Sequence, residues 1–142
     1  MTDYTDTLIR VRYAETDQMG VAHHANYLIW FDVGRIEFCR HSGFEYERME
    51  TEDDTFLVVA EASCRYKLPA RFDDVLRIRT RVTGSQRRTV RFGYEILGEM
   101  GQVIATGATL HVFCNRLGHV KSLPEKYHEY FPSITMLTEN RG

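Results

Sequence analysis

Between Asn26 and about His41, Tyr27, Phe31 and Phe38 recur with Leu28, Val33 and Ile36 at spacings that need a helix to gather them. Leu28, Ile29, Trp30 and Phe31 also run in succession, so apolar side chains cover most of the circumference, with Asp32, Arg35, Glu37 and Arg40 as polar relief. Such a helix reads as central, enclosed on several sides. Its sixteen residues make about 24 Å of helix, and Gly43 is the expected stop. Gly34 within it costs about 1 kcal/mol of helix propensity relative to alanine, which points to a tight contact with a sheet or a partner.

The material that could enclose this helix alternates like sheet. A first strand is expected over Leu8 to Ala14, where Ile9, Val11 and Tyr13 alternate with Arg10 and Arg12. Glu45 to Asp54 is charged and poorly periodic. Beyond it Phe56, Val58, Ala60, Ala62, Cys64 and Tyr66 form a dry face, with Glu61, Ser63, Arg65 and Lys67 opposite. Pro69 ends that strand. Leu76, Ile78, Thr80 and Val82 then alternate with Arg77, Arg79 and Arg81; residues 89–97 align Val90, Phe92, Tyr94 and Ile96; and 103–114 form a last apolar strand after a Gly98–Gly101 turn. A short helical turn is expected after Leu123-Pro124, followed by a loose tail. A sheet with one polar face cannot bury its other face alone, so the helix must lie across it. The fold class is α+β, with a long central helix wrapped by an antiparallel sheet of about five strands. At 142 residues and 43% hydrophobic, residues 1–142 make one domain.

Composition narrows the function. A formal net charge of −2 gives no global pull toward nucleic acid. No apolar run approaches the ~20 residues needed to cross a bilayer, and Met1 to Asp6 lack the basic start and apolar run of a signal peptide, so the cytoplasm is the expected compartment. Cys39, Cys64 and Cys114 are odd in number and widely spaced, as reduced core thiols are. His41, His111, His119 and His128 are too scattered for a metal site, and no zinc-hydrolase, serine-elbow, dinucleotide or P-loop motif occurs.

Chemistry is concentrated in residues 12–27, Arg-Tyr-Ala-Glu-Thr-Asp-Gln-Met-Gly-Val-Ala-His-His-Ala-Asn-Tyr. Asp17 stands just ahead of the helix that begins near Asn26, whose unsatisfied N–H end stabilises developing negative charge. Taken alone, an aspartate beside a glycine is more often a turn or capping carboxylate. His23 reads as a packed or solvated residue.

Tyr13-Ala14-Glu15-Thr16-Asp17-Gln18-Met19-Gly20-Val21, His24-Ala25-Asn26-Tyr27 and Tyr66-Lys67-Leu68-Pro69-Ala70-Arg71-Phe72-Asp73-Asp74, in this order, resemble the hotdog-fold acyl-CoA thioesterases, in the branch of 4-hydroxybenzoyl-CoA thioesterase and its Tol-Pal-associated relatives. The resemblance covers residues 6–132. It implies a hotdog fold, hydrolysis of an acyl thioester to a free acid and coenzyme A, and homodimers with a continuous sheet, often paired into homotetramers, with active sites at the subunit interface. The catalytic carboxylate falls on Asp17, as nucleophile or as general base. Oxyanion stabilisation falls on backbone N–H groups around His24, with Gly20 and Val21 in the turn and Gly20 allowing close approach of the loop. His24 could orient the thioester or assist Asp17 through its imidazole, and Tyr13 could brace the pocket through its hydroxyl. No metal or redox cofactor is chemically required, and coenzyme A enters only as part of the substrate.

Arg87 and Arg88 are candidates for its phosphates, whereas Arg77, Arg79 and Arg81 read as a solvated sheet face balanced by Glu61 and neighbours. Arg71 serves the turn equally well. The acyl pocket depends on how Trp30, Phe31, Phe56, Phe92 and a partner subunit meet, and either coenzyme A or acyl carrier protein could carry the acyl group. The same fold hosts hydratases and dehydratases, for which Glu37 is the one candidate carboxylate, and non-catalytic acyl-CoA sensors.

Overall fold

The computed structural model describes residues 4–130. Strands β1 (Tyr4–Arg10), β2 (Phe56–Tyr66), β3 (Val75–Ser85), β4 (Thr89–Leu97) and β5 (Val103–Cys114) form one antiparallel sheet in the order β1-β3-β4-β5-β2. Helix α1 (Asn26–His41) lies across it, chiefly over β1 and β3, and helix α2 (Tyr46–Asp53) leads into β2. The expected α+β architecture and the bounds of the central helix are both present. A 3-10 turn at Glu125–Tyr130 follows Pro124 as expected; the loose tail lies outside the described residues.

Aromatic packing fixes α1 on the sheet. Phe31 is fully buried and stacks on Tyr94 with ring centroids 4.4 Å apart, and Phe38 meets Phe92 edge-on at 5.9 Å. Gly34 is the point of closest approach: a Cβ there would collide with Thr80 Oγ1 and lie 2.8 Å from Ile78 Cγ2. Leu76, Ile78, Thr80 and Val82 on β3, and Val90, Phe92, Tyr94 and Ile96 on β4, are all buried beneath the helix. A polar chain runs through this core. Arg35 pairs with Asp32 at 2.9 Å and donates to the hydroxyls of Tyr46 at 3.1 Å and Tyr94 at 3.5 Å. Tyr94 shares a 2.7 Å hydrogen bond with Thr109, whose hydroxyl lies 2.8 Å from His111 Nε2. His111 is fully buried, and its Nδ1 has no hydrogen-bond partner among the described residues.

Five expectations change. The first strand runs over Tyr4–Arg10 rather than Leu8 to Ala14, because Val11 turns to exchange backbone hydrogen bonds with Asp73 and Asp74, and Tyr13–Glu15 then form one 3-10 turn. The charged stretch after Glu45 contains helix α2, which buries only Met49 and is reinforced by the Arg48–Glu52 pair at 2.9 Å. On β2 a bulge between Val59 and Glu61 switches faces, so Leu57 and Val59 share the inner side with Ala62, Cys64 and Tyr66. The arginines of β3 are balanced by Asp6 and Glu95 rather than Glu61; Asp6 accepts two bonds from Arg79, at 2.9 and 3.0 Å. Finally, one chain does not enclose its own helix. Leu28, Ile29, Val33 and Ile36 remain 36–53% exposed, and Val58 and Val59 on the edge strand β2 are nearly half exposed.

Candidate active site

The loop between β1 and α1 folds back on itself. Asp17 N–H donates to Val21 C=O at 2.9 Å and Gly20 N–H to Asp17 C=O at 3.0 Å, closing a tight turn in which Gly20 has φ +79°. An added Cβ at Gly20 would meet nothing within 4 Å in this chain, where the left-handed backbone conformation favours glycine. Bridges of Val21 to Arg71 and Thr16 to Ala22, with Ala22 N–H donating to Ala70 C=O at 2.7 Å, fasten this turn to the loop before β3. Arg71 thus serves the turn through its backbone.

Asp17 fills the turn role and leaves one oxygen unused. Its Oδ1 accepts Met19 N–H at 2.8 Å, the turn role, while Oδ2 has no partner among the described residues. The side chain lines a cleft of about 340 Å³ with His24, Tyr27, Tyr66, Lys67 and Leu68. Across from it α1 starts without a side-chain cap: Ala25 is the N-cap, and no acidic residue stands in the first turn. His23 N–H is used by Glu15 C=O, and Asn26 N–H by His23 C=O, whereas His24 N–H carries no hydrogen bond within the described chain. Asp17, with one carboxylate oxygen unbonded among the described residues, and His24, with an unbonded N–H beside a positive helix end, therefore line one opening. That arrangement suits attack on a carbonyl whose oxygen gathers negative charge.

The His24 imidazole is exposed, stacked on His23 with centroids 4.3 Å apart and edge-on to Tyr66 at 6.4 Å. The structure does not bring every candidate together. Tyr13 is 79% exposed and rests edge-on against Phe72 rather than lining the cleft. Arg87 and Arg88 sit at the β3–β4 turn, and the ten steps of β3 put them about 33 Å from the Asp17 end of the sheet. Trp30, Phe31 and Phe92 are sealed in the core of the single chain, so the aromatic walls of the cleft are Tyr27 and Tyr66 instead. A larger cavity of about 440 Å³ beside that same turn is lined by Thr83, Thr89 and Arg91, with no carboxylate or histidine. Among the described residues no three His, Cys, Asp or Glu side chains gather as a metal site.

Residues without an assigned role complete the site. Tyr66 donates its hydroxyl to His24 C=O at 3.0 Å, tying the end of β2 to the helix start. Tyr27 meets Tyr66 edge-on at 4.9 Å, and burial pushes its hydroxyl pKa up. Glu15 is buried and accepts the Trp30 indole N–H at 3.0 Å. In the sequence these tyrosines read as strand and helix apolar positions, and Glu15 as one more loop acid; only their membership in the two motifs marked them.

Known proteins are similar to this chain in sequence and fold. The model of the Thioesterase-like superfamily matches residues 11–131. The acyl-CoA thioesterase YbgC of Haemophilus influenzae is 31% identical over 113 residues, covering 80% of this chain and 82% of its own. The DHNA-CoA thioesterase of Staphylococcus aureus superimposes with a TM-score of 0.89 at 29% identity, over 98% of this chain and 95% of its own. The BH1999 gentisyl-coenzyme A thioesterase gives a TM-score of 0.80 at 25% identity, over 87% of this chain and 99% of its own. With the five-stranded sheet, the helix across it and the carboxylate at the helix mouth, the chain belongs to the thioesterase-like superfamily, as a thioester hydrolase of the hotdog fold.

Proposed function

We propose that the chain hydrolyses acyl-coenzyme A, with Asp17 directing attack on the thioester carbonyl and His24 N–H stabilising the oxyanion. The observation that carries this is the pairing, across one cleft, of an unpartnered Asp17 Oδ2 with an unbonded N–H at an uncapped helix start. In one route Oδ2 bonds to the carbonyl carbon, the C–S bond breaks, the thiolate leaves and takes a proton, and water hydrolyses the mixed anhydride. In the other, Oδ2 takes the proton of a water that attacks the same carbon, and the C–S bond then breaks, the thiolate leaving and taking up that proton. Either route needs the oxyanion donor, and one such donor contributes about 2.7–4 kcal/mol to the transition state. The His24 imidazole orients the thioester in this reading, and Tyr13 braces the loop from outside the cleft.

A second copy completes the site. The free edge of β2 and its exposed Val58 and Val59 support pairing of two β2 strands into a continuous sheet, and the exposed stripe of α1 offers a surface for pairing dimers. Arg87 and Arg88, remote from the cleft of their own chain, then serve the phosphates of a coenzyme A held by a neighbouring subunit. Buried, unpaired Cys39 and Cys114 support a reducing compartment, the cytoplasm. No helix among the described residues is long and apolar enough to cross a membrane.

The test is a panel of aromatic, short aliphatic and longer acyl-CoAs, with acyl carrier protein thioesters beside them, read by release of free thiol. Wild-type protein releases thiol, and Asp17→Asn abolishes turnover while the thermal melt stays in place. Full activity in Asp17→Asn removes Asp17 from the mechanism. Binding without cleavage identifies a sensor, and new double-bond absorbance a dehydratase.

A further inference from the structure

We infer that Glu15 is a positioning residue that holds Asp17 and the free His24 N–H on the same cleft; the inference rests on the thioesterase reading of those two groups. Glu15 is 5% exposed, a depth at which an acidic side chain is rare without partners. Its carboxylate accepts the backbone N–H of Arg12 at 2.8 Å, the indole N–H of Trp30 at 3.0 Å and the Arg12 guanidinium at 3.4 Å. Its main-chain carbonyl accepts His23 N–H at 2.7 Å and the Asn26 side-chain amide at 2.9 Å. One residue thus fastens the exit of β1, the second turn of α1, and the two positions that bracket His24 and Ala25. Asp17 lies two residues further on.

The direction of these bonds separates positioning from bulk stability. Helix α1 is already held to the sheet through Phe31 on Tyr94, Phe38 on Phe92 and Gly34 against Thr80 and Ile78. What Glu15 adds is the register between loop and helix start. A misplacement of about 1 Å in such a register can cost about 10²-fold in rate. The carboxylate stays charged: burial pushes its pKa up, but the Arg12 N–H, Trp30 indole and Arg12 guanidinium outweigh this and hold it below the ordinary value. A charged acceptor makes the stronger bond to the buried indole.

The experiment measures kcat and KM on benzoyl-CoA for Glu15→Gln, Trp30→Phe, their double variant and Asn26→Ala, beside wild type and Asp17→Asn. Trp30 is the one tryptophan of the chain, so its emission reports directly whether the Glu15 contact has changed in folded protein. We expect kcat to fall by about 10-fold or more in each single variant with KM within about twofold. The double variant should be no slower than its slower parent, because both changes cut one link. Asn26→Ala removes the side-chain bonds to the carbonyls of Glu15 and His23 while leaving the Glu15 carboxylate contacts in place, and decides the matter if Glu15→Gln does not fold. Wild-type kcat in the folded variants, a change in KM alone, or losses that multiply in the double variant would overturn the inference. Should Asp17→Asn be inactive while the Glu15 variants keep full kcat, only the positioning role fails; an active Asp17→Asn fails the catalytic reading itself.

Discussion

Acidification from pH 7.5 to 5.0 should destabilise the fold through one side chain, His111. Its ring is fully buried between Phe92 and Thr109, and burial, with the Arg35 charge adding to it, pushes its pKa down to about 3. The unfolded chain binds a proton at His111 near pH 6.5, while the folded chain does not until far lower. The stabilisation is therefore complete above pH 6.5 and is lost as pH falls toward 3. At pH 5.0 the unfolded state has gained about 1.5 pH units of protonation, worth about 2 kcal/mol at 1.36 kcal/mol per unit. The depressed carboxylates of Asp6, Glu15, Glu52 and Asp53 act in the same direction chiefly at lower pH, and the difference between wild type and a His111 variant isolates the histidine. The assay is urea unfolding at fixed protein concentration across this range, for wild type and His111→Gln. The variant should be less stable at pH 7.5 yet lose about 2 kcal/mol less on going to pH 5.0. A flat wild-type profile, or an equal slope in the variant, would refute the argument.

Gly34→Ala should cost about 1–3 kcal/mol in urea unfolding, because its methyl has to displace Thr80 and Ile78. His24→Ala keeps the backbone donor and should lose far less kcat than Asp17→Asn in the same thiol-release assay; equal losses would make the imidazole indispensable. Tyr66→Phe removes the hydroxyl that anchors His24 C=O and should destabilise by about 0.5–1.5 kcal/mol, with kcat reduced; an unchanged melt would deny that bond its role. A chelator should leave thiol release unaltered, since a thiolate leaves without Lewis-acid help.

The sequence made the architecture legible where burial follows a period. Asn26–His41, β3 and β4 emerge because each presents one continuous face to the core, and periodicity records that directly. It failed where backbone geometry breaks the period. The turn at Val11 and the bulge on β2 leave an alternating pattern in place while reversing what it faces. Helix α2 escaped because Met49 is its one buried side chain, set among charged residues that leave too few apolar positions to mark a helical face. The site divides in the same way. Asp17 and His24 could be found because motif spacing places them beside a helix start, whereas Tyr66, forty-two positions from His24, joins them only through the path of β2. Arg87 and Arg88 show the converse: nothing in their charge reveals that the length of β3 carries them to the far end of the sheet from the Asp17 of their own chain.

The geometry that leaves β2 open also ties activity to assembly. Tyr66 and Lys67 form one wall of the cleft, at the end of a strand whose outer edge has no neighbour among the described residues. If a second copy supplies that neighbour, the wall is braced only in the dimer, and specific activity should fall on dilution in step with dissociation. Parallel sedimentation and thiol-release measurements over a dilution series test this directly. Introducing a charge at the edge through Val58→Asp should move both curves to higher concentration together, because it opposes pairing without touching Asp17 or His24. If Val58→Asp or dilution yields monomers that turn over at the undiluted rate, the cleft of one chain is sufficient and the partner is not part of the site.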